Sequence, residues 1–296
     1  MRPFSLFEYF ERLEDWSARV VRGGMGLGMR LVALALVAIT FAWVAYLIWT
    51  GKPRMNTGFL TGFDSVVAGN AGIYPALMGS LWLLLLVFLF SIAPGLAIAV
   101  HLERGRLSPR IRQVMSLNIA SLAGIPSVVY GLVGLELFAR QLHLGICLLS
   151  AALTLTLMAL PTVVITCREA IRQVPGELEE GAIALGASPL QALWYQILPA
   201  ALPGILSGVM LSISRVVGEA APLLVLGAVA FVPYAPESLW DYFTLLPVQI
   251  FFWSNQAQPD FALNAAAAVV VLLGITLIFH LLASWIRNRW KKRILL

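Results

Sequence analysis

The sequence predicts an all-α integral membrane protein with six transmembrane helices, and three observations carry that expectation. Of its 296 residues, 60% are hydrophobic and 12% are charged, with a mean hydropathy of +0.87. A water-soluble domain carries roughly 25% charged residues, so this chain has too little polar surface to cover a globule in water. Six stretches, near 30–50, 75–102, 112–138, 144–166, 200–231 and 262–286, each reach the ~20 apolar residues that a spanning helix needs. Lysine and arginine are also strongly segregated between alternate loops, as the positive-inside rule requires of a multi-pass chain.

The first 29 residues form a separate segment. Glu8, Glu11, Glu14 and Asp15 lie among its arginines and no apolar signal-type core is evident. Phe7, Phe10, Leu13 and Trp16 recur at helical spacing, which predicts a short amphipathic helix on the cytoplasmic membrane face. An irregular tail is the alternative. Residues 30–68 then supply the first span and an outer loop, 69–290 the main transmembrane domain, and 291–296 a basic cytoplasmic tail.

Several spans carry helix-breaking residues: Pro94-Gly95, Gly124 with Pro126, Pro161, and Gly218 with Pro222. Such residues persist in lipid only where neighbouring helices or a cavity satisfy the freed backbone groups. Orientation follows from the basic residues. Arg2, Arg12, Arg19, Arg22 and Arg30 precede span one, and Arg104, Arg106, Arg110 and Arg112 follow span two. Arg168 and Arg172 follow span four, and Arg287, Arg289, Lys291, Lys292 and Arg293 end the chain. Only Lys52, Arg54 and Arg140 fall on the other side, so both termini are expected in the cytoplasm. Cys147 and Cys167 are twenty residues apart, about 30 Å along a helix, which is too far to bridge. They lack flanking metal ligands and read as packing residues.

The segment from Arg168 to Pro199 is too long for a plain connector, for which ~2–8 residues suffice. Pro175 can open a helix whose first turns carry Glu177, Glu179 and Glu180 near the positive dipole end. Gly186 can take the left-handed cap, and Ser188 can cap a second helix with Pro189 in its first turn. Two short helices meeting at a glycine turn are predicted, with Pro199 at re-entry to the membrane.

Within it, Glu180-Gly181-Ala182, then Gly186, then Leu198-Pro199 resembles the EAA loop of permease subunits from binding-protein-dependent ABC importers. It departs from that pattern at Gly181, where alanine is usual, and at Gln196, where isoleucine is usual. The resemblance implies the type I (MetI-like) permease fold. It also implies that Glu179, Glu180, Gly181, Ala182, Gly186 and Ala187 couple the chain to an ATP-binding subunit. The chain has no Gly-x-x-x-x-Gly-Lys phosphate cradle, and its lysines are Lys52, Lys291 and Lys292 alone. ATP and magnesium are therefore expected on partner ATPase subunits, with no cofactor, metal or catalytic group on this chain.

Three more segments resemble phosphate-importer permeases: Gly69-Asn70-Ala71-Gly72 with Pro75-Ala76-Leu77 and Gly79-Ser80-Leu81, Ala123–Leu132, and Arg215–Leu224. The last, with its Ala-Pro-Leu-Leu ending, is similar to the PstA-type permeases, in which threonine more often stands at the position of Ala220. The resemblance spans about residues 69–290. It implies import of inorganic phosphate across a bacterial inner membrane by alternating access. The implied partners are a PstC-like permease, two PstB-like ATP-binding subunits and a periplasmic phosphate-binding protein. Membrane lipid is the surrounding solvent, and nucleic acid is not an expected partner.

The residues themselves suit an anion. Arg215 inside a span costs ~2.5–3.5 kcal/mol on insertion scales, a cost that a partner or a water-filled pathway offsets. Glu219 stands four residues on and can pair with it on one helical face, and phosphate can compete for the guanidinium. A purely structural ion pair is the other reading. Ser127 and Tyr130 either line the pathway beside Pro126 or satisfy freed helix carbonyls. Glu136 reads as interfacial, His101 and His143 lie near opposite boundaries, and Glu237, Asp241 and Asp260 make the loop before span six acidic. That loop either meets a binding protein or is simply solvated. The rival functions are a permease for sulfate or molybdate and an ion-coupled secondary transporter; the latter leaves the cytoplasmic loop unexplained.

Overall fold

A computed structural model of the chain describes residues 6–105, 107–229 and 231–294, with side chains over 28–289 apart from Arg106 and Ala230. Every regular element among the described residues is helical. The chain divides into two units, Met1–Thr50 and Gly51–Leu296.

The first unit is one helix, α1 (Leu6–Gly51), which runs without interruption past position 29 into the first apolar stretch. No proline interrupts it, and Pro53 stands just beyond its end. The side chains of Phe7, Phe10, Leu13 and Trp16 lie outside the described residues, as do those of the tail 291–296.

The second unit opens on a 3-10 turn (Lys52–Arg54) and the short helix α2 (Thr57–Thr61). Asn56 caps α2, its side-chain oxygen accepting from the Phe59 N–H at 2.8 Å. The spans follow as α3 (Tyr74–Arg104), the pair α4 (Pro109–Ala123) and α5 (Ser127–Gly134), and α6 (Leu148–Arg172). Next come the short helices α7 (Gly176–Ala184) and α8 (Pro189–Ala192), then α9 (Leu198–Val217), α10 (Ala221–Leu226), α11 (Leu246–Ser254) and α12 (Asp260–Ile294). Among the described residues five helices are long and apolar enough to cross a membrane, and the bent run of α4 with Ser127–Gln141, counted as one span, makes six.

Helix α6 sits at the centre, packed against α3, α9, α4 and α5, while α12 covers α9. Leu83, Leu102, Leu155, Val163, Ile205 and Ile213 are among the side chains of this core. Several polar residues inside it are small hydroxyls that bond to their own helix, although the fully buried Ser91 hydroxyl of α3 finds no partner among the described residues. Thr154 donates to the Ser150 carbonyl at 2.7 Å, Thr156 to Ala152 at 2.7 Å and Ser212 to Gly208 at 2.9 Å. In lipid that local satisfaction removes the cost of a buried hydroxyl. Both cysteines are free and buried, Cys167 within this core and Cys147 as the cap of α6.

A second, smaller core lies at one end of the unit. Phe59, Ala68, Ala71, Ile73 and Ala76 pack there against Leu246, Trp253, Phe261 and the alanines of α12. The segment between the first two spans is thus a folded shelf on α11 and α12.

Two predicted spans are corrected. The third, expected as one helix over 112–138, is broken at Gly124-Ile125-Pro126 and bends by 95°. Pro126 has no N–H to give and disfavours helical geometry in the residue before it. The fifth, expected over 200–231, stops at Val217; Gly218, Glu219 and Ala220 interrupt it before α10. Pro222 leaves the Gly218 carbonyl without its helical donor. The second helix of the cytoplasmic loop is corrected too. It is not a separate short element, because α8 continues through a π turn at Leu193–Ile197 into α9, giving one helical run over Pro189–Val217 that includes Pro199.

Candidate functional site

The breaks in the third and fifth spans meet. Helix α10 packs on α5, and the contact centres on Gly131 against Pro222. A β-carbon at Gly131 would lie 2.5 Å from the Pro222 carbonyl oxygen and 2.7 Å from its Cα, so only glycine lets these backbones approach. Tyr130 beside it is buried, and its hydroxyl donates to the Leu122 carbonyl at 2.7 Å, across the break. That bond is the one expected where Tyr130 satisfies a freed carbonyl, and the residue also lines a cavity with Ile125, Val129 and Val133. Ser127 opens α5 and is half-buried.

Arg215 lies in the last turn of α9, where a cation is favoured by the negative dipole end, and it is exposed. Glu219 is half-buried beyond the helix end, and its N–H donates to the Val216 carbonyl at 3.1 Å. The ion pairs among the described residues are Arg104–Glu179, Arg140–Glu136 and Arg168–Glu103, and neither Arg215 nor Glu219 enters one. The spacing of four suggested a pair on one face. That geometry needs an unbroken helix, which Gly218 and Pro222 prevent.

On the cytoplasmic loop, α7 ends as expected at Gly186, which has φ +91°. Ser188 caps α8, with a reciprocal bond from its own N–H to the Gln191 side chain at 2.8 Å. Pro175 precedes α7 as its N-cap, one residue earlier than expected. The tip exposes a run of apolar side chains: Leu185 is 92% exposed, Leu190 64%, Trp194 61% and Tyr195 76%. Glu180, Gly181 and Gly186 are exposed, while Ala182 and Ala187 are half-buried. Glu179 is engaged by Arg104 at the end of α3, which ties α7 to the transmembrane bundle. Nearby, Arg168 of α6 bonds to Glu103 and donates to the Ser116 hydroxyl at 2.7 Å. The Arg104–Glu179 pair thus ties the loop to α3, while Arg168 joins α6 to α3 and α4 close by.

Two clusters on the shelf were not anticipated. Arg54 donates from Nε to the Asn264 side-chain oxygen at 2.5 Å, from Nη1 to the Gly69 carbonyl at 2.8 Å, and from Nη2 to the Ala68 and Ala71 carbonyls at 2.8 and 2.9 Å. Asp64 accepts from Gln249 at 2.9 Å and from the Ser65 N–H at 2.9 Å. Burial pushes its carboxyl above the ordinary value, outweighing the lowering by these bonds. One of the three basic residues on that side, and an asparagine in an apolar helix, were the available signals. Glu136 pairs with Arg140 at 3.2 Å, and Asp241 accepts from the Glu237 and Ser238 N–H groups at 2.9 and 2.8 Å. These carboxylates serve local structure.

The comparisons with known proteins agree with this architecture. Residues 95–292 match the family described as "Binding-protein-dependent transport system inner membrane component". The chain is 34% identical over 221 residues to "Phosphate transport system permease protein PstA 1" of Mycobacterium tuberculosis (strain CDC 1551 / Oshkosh), covering 73% of this chain and 70% of that one. It is 29% identical over 289 residues to "Probable ABC transporter permease protein YqgI" of Bacillus subtilis (strain 168), covering 93% and 97% respectively. Its fold matches a solved chain of the MetNI methionine ABC transporter in an inward-facing conformation, with TM-score 0.61 at 20% identity over 74% of this chain and 97% of that chain. A helical bundle with the MetI-like fold, a hairpin tied to α3 and a family match over two thirds of the sequence lead to one conclusion: the chain belongs to the family of inner-membrane permease components of binding-protein-dependent ABC importers.

Proposed function

We propose that this chain is the PstA-type permease subunit of an ATP-driven importer of inorganic phosphate, lying in a bacterial inner membrane with both termini in the cytoplasm. The observation that carries the reading is Arg215, an exposed cation without an ion-pair partner among the described residues, at the interrupted end of a spanning helix. A guanidinium held in that way presents planar donors to an oxyanion. The likeness to permeases named for phosphate transport supports phosphate over sulfate or molybdate.

In this reading Arg215 stabilises phosphate in transit, and Ser127, at the positive N-terminal end of α5, contributes a hydroxyl to the same pathway. Glu219, close beyond the helix end, turns the local field against the anion and promotes its release. Tyr130 braces the break and does not touch cargo. The loop carrying Glu179, Glu180, Gly181, Ala182, Gly186 and Ala187 docks on an ATP-binding subunit, with Leu185, Trp194 and Tyr195 supplying apolar contact. Glu179, through Arg104, passes its motion to the bundle. Two PstB-like subunits bind ATP and magnesium, a PstC-like permease completes the pore, and a periplasmic phosphate-binding protein delivers cargo. Phosphate crosses by alternating access with no covalent step, so no cofactor or catalytic group is required of this chain.

The test is uptake by the purified complex in proteoliposomes, with phosphate compared against sulfate. ATP-dependent uptake selective for phosphate is expected, and Arg215→Gln lowers it about tenfold, the loss of one charge-assisted contact. An Arg215→Gln complex that assembles and transports at the wild-type rate refutes the pathway role.

A further inference from the structure

We propose that the pocket around Asp64, on the outer shelf, receives one lysine or arginine side chain from the soluble binding protein that docks on this permease. The inference rests on the importer reading, which places the shelf outside. The pocket has a volume of about 240 Å³ and is walled by Phe231, Phe252, Trp253 and Phe261, with Asp64 and the carboxamides of Gln249, Gln256 and Gln258 as its polar groups. That volume falls below the ~300–1,000 Å³ of ordinary small-molecule pockets and suits a single side chain.

The charge at the pocket is set by the fold. Gln249 is 1% exposed, and its Oε1 accepts from the Thr244 hydroxyl at 3.4 Å, which turns its amide N–H groups toward Asp64. Gln249 holds the carboxylate in place without neutralising it. Among the described residues Asp64 enters no ion pair. Arg54, on the same shelf, is committed to three carbonyls and Asn264, Arg140 to Glu136, and exposed Lys52 enters no ion pair among the described residues. A half-buried carboxylate therefore keeps accepting capacity and no counter-charge. It repels phosphate, so this is not a cargo site. Aromatic faces around it attract a cation a second time through their quadrupoles. Glu237 and Asp260, both exposed on the later outer loops, give the same face further negative charge and draw a basic partner surface to it.

The raised carboxyl of Asp64 agrees with the geometry, because desolvation by burial is its first cause and outweighs the lowering by its hydrogen bonds. An incoming guanidinium or ammonium reverses that effect and gains a desolvated ion pair.

The experiment measures binding of the purified periplasmic phosphate-binding protein to the whole transporter complex in nanodiscs. Asp64→Asn keeps the acceptor for Gln249 and removes the charge, and it is expected to raise Kd about tenfold. Asp64→Glu restores most of the affinity. If Asp64→Asn fails to assemble, Gln258→Lys, which sets a like charge at the exposed pocket mouth, reads the same contact and also weakens binding. An unchanged Kd in the assembled variant overturns the proposal. So does a Kd that weakens equally in Asp64→Asn and Asp64→Glu, which marks a structural role. A complex that binds this protein normally yet moves no phosphate into proteoliposomes refutes the importer reading, leaving the docking result to stand separately.

Discussion

Replacing Arg54 with alanine is expected to open the outer shelf locally while leaving the bundle folded. Arg54 makes four hydrogen bonds, each from a charged donor, and its guanidinium lies 5.7 Å from the Phe59 ring centroid. Bonds of that kind are worth ~1.5–3 kcal/mol each, or about 6–12 kcal/mol gross. Part of this is not lost, because the carbonyl of exposed Gly69 regains water and the Ala68 carbonyl keeps the Asn264 amide as a donor. Asn264 cannot recover. It is fully buried, its amide still donates to the Ala68 carbonyl at 3.0 Å, and its oxygen is left without a donor. That orphaned acceptor costs ~1–3 kcal/mol, and the lost cation–π contact adds about 0.5–1 kcal/mol. We therefore expect a local destabilisation of ~2–4 kcal/mol. The reporters are the amides of Gly72, Ile73 and Tyr74, which donate to the Phe63, Phe59 and Gly62 carbonyls at 2.8, 2.8 and 3.0 Å. Hydrogen–deuterium exchange in nanodiscs should show them exchanging about 30- to 700-fold faster in Arg54→Ala. Peptides from α6 should be unaffected. Acceleration of less than about threefold at the shelf refutes the reasoning, since opening free energy and exchange rate are linked. Equal acceleration across α6 refutes it as well, because the clamp is then not local.

Three further outcomes follow from single residues. Gly131→Ala places a β-carbon against the Pro222 backbone, where no side chain can move aside, and should cost ~1–3 kcal/mol; a melting temperature equal to wild type in detergent contradicts the close approach of α5 and α10. Gly186→Val forces a β-branched residue to φ +91° in otherwise open space, so its cost of ~1–2 kcal/mol is backbone strain alone. Its readout is ATPase stimulation by the reconstituted permease, which should fall more than for Gly186→Asn; equal stimulation by both counts against a required turn. Asp64 has a folded-state pKa raised above the ordinary 3.8, so its contribution is most favourable below that value and is lost as pH rises through the folded pKa. Asp64→Asn should therefore melt higher than wild type at neutral pH, with the difference closing as pH falls below about 4; a variant less stable than wild type at pH 7 overturns this sign. Lower affinity with higher stability is the pattern of a binding residue held at a cost to the fold.

Composition and basic-residue placement were sufficient to specify a helical membrane protein, because lipid permits few backbone solutions. The turn chemistry of Gly186, Ser188 and Pro189 was readable for the same reason, since each satisfies a local backbone demand without help from distant residues. Helix continuity was not readable. Pro94, Pro161 and Pro203 sit inside unbroken helices, whereas Pro126 and Pro222 coincide with breaks. One residue type gives both outcomes, so a proline's place in the sequence does not by itself mark a break; at Pro126 the Tyr130 hydroxyl takes up the Leu122 carbonyl that the break frees. The Arg215–Glu219 pair failed on that account, its spacing holding only for a helix that tertiary contacts interrupt.

The sequence by itself determined the solvent, the apolar stretches and the glycine turn between α7 and α8, all of which depend on local composition and near-neighbour backbone bonding. Tertiary structure alone decided where α5 and α10 meet, that Arg215 stands unpaired, and that residues 54, 64, 249 and 264 converge on one outer shelf. Those features join positions up to 210 residues apart, Arg54 with Asn264 being the longest. Partners so distant leave no periodic trace in the chain, since only packing brings them within hydrogen-bonding reach.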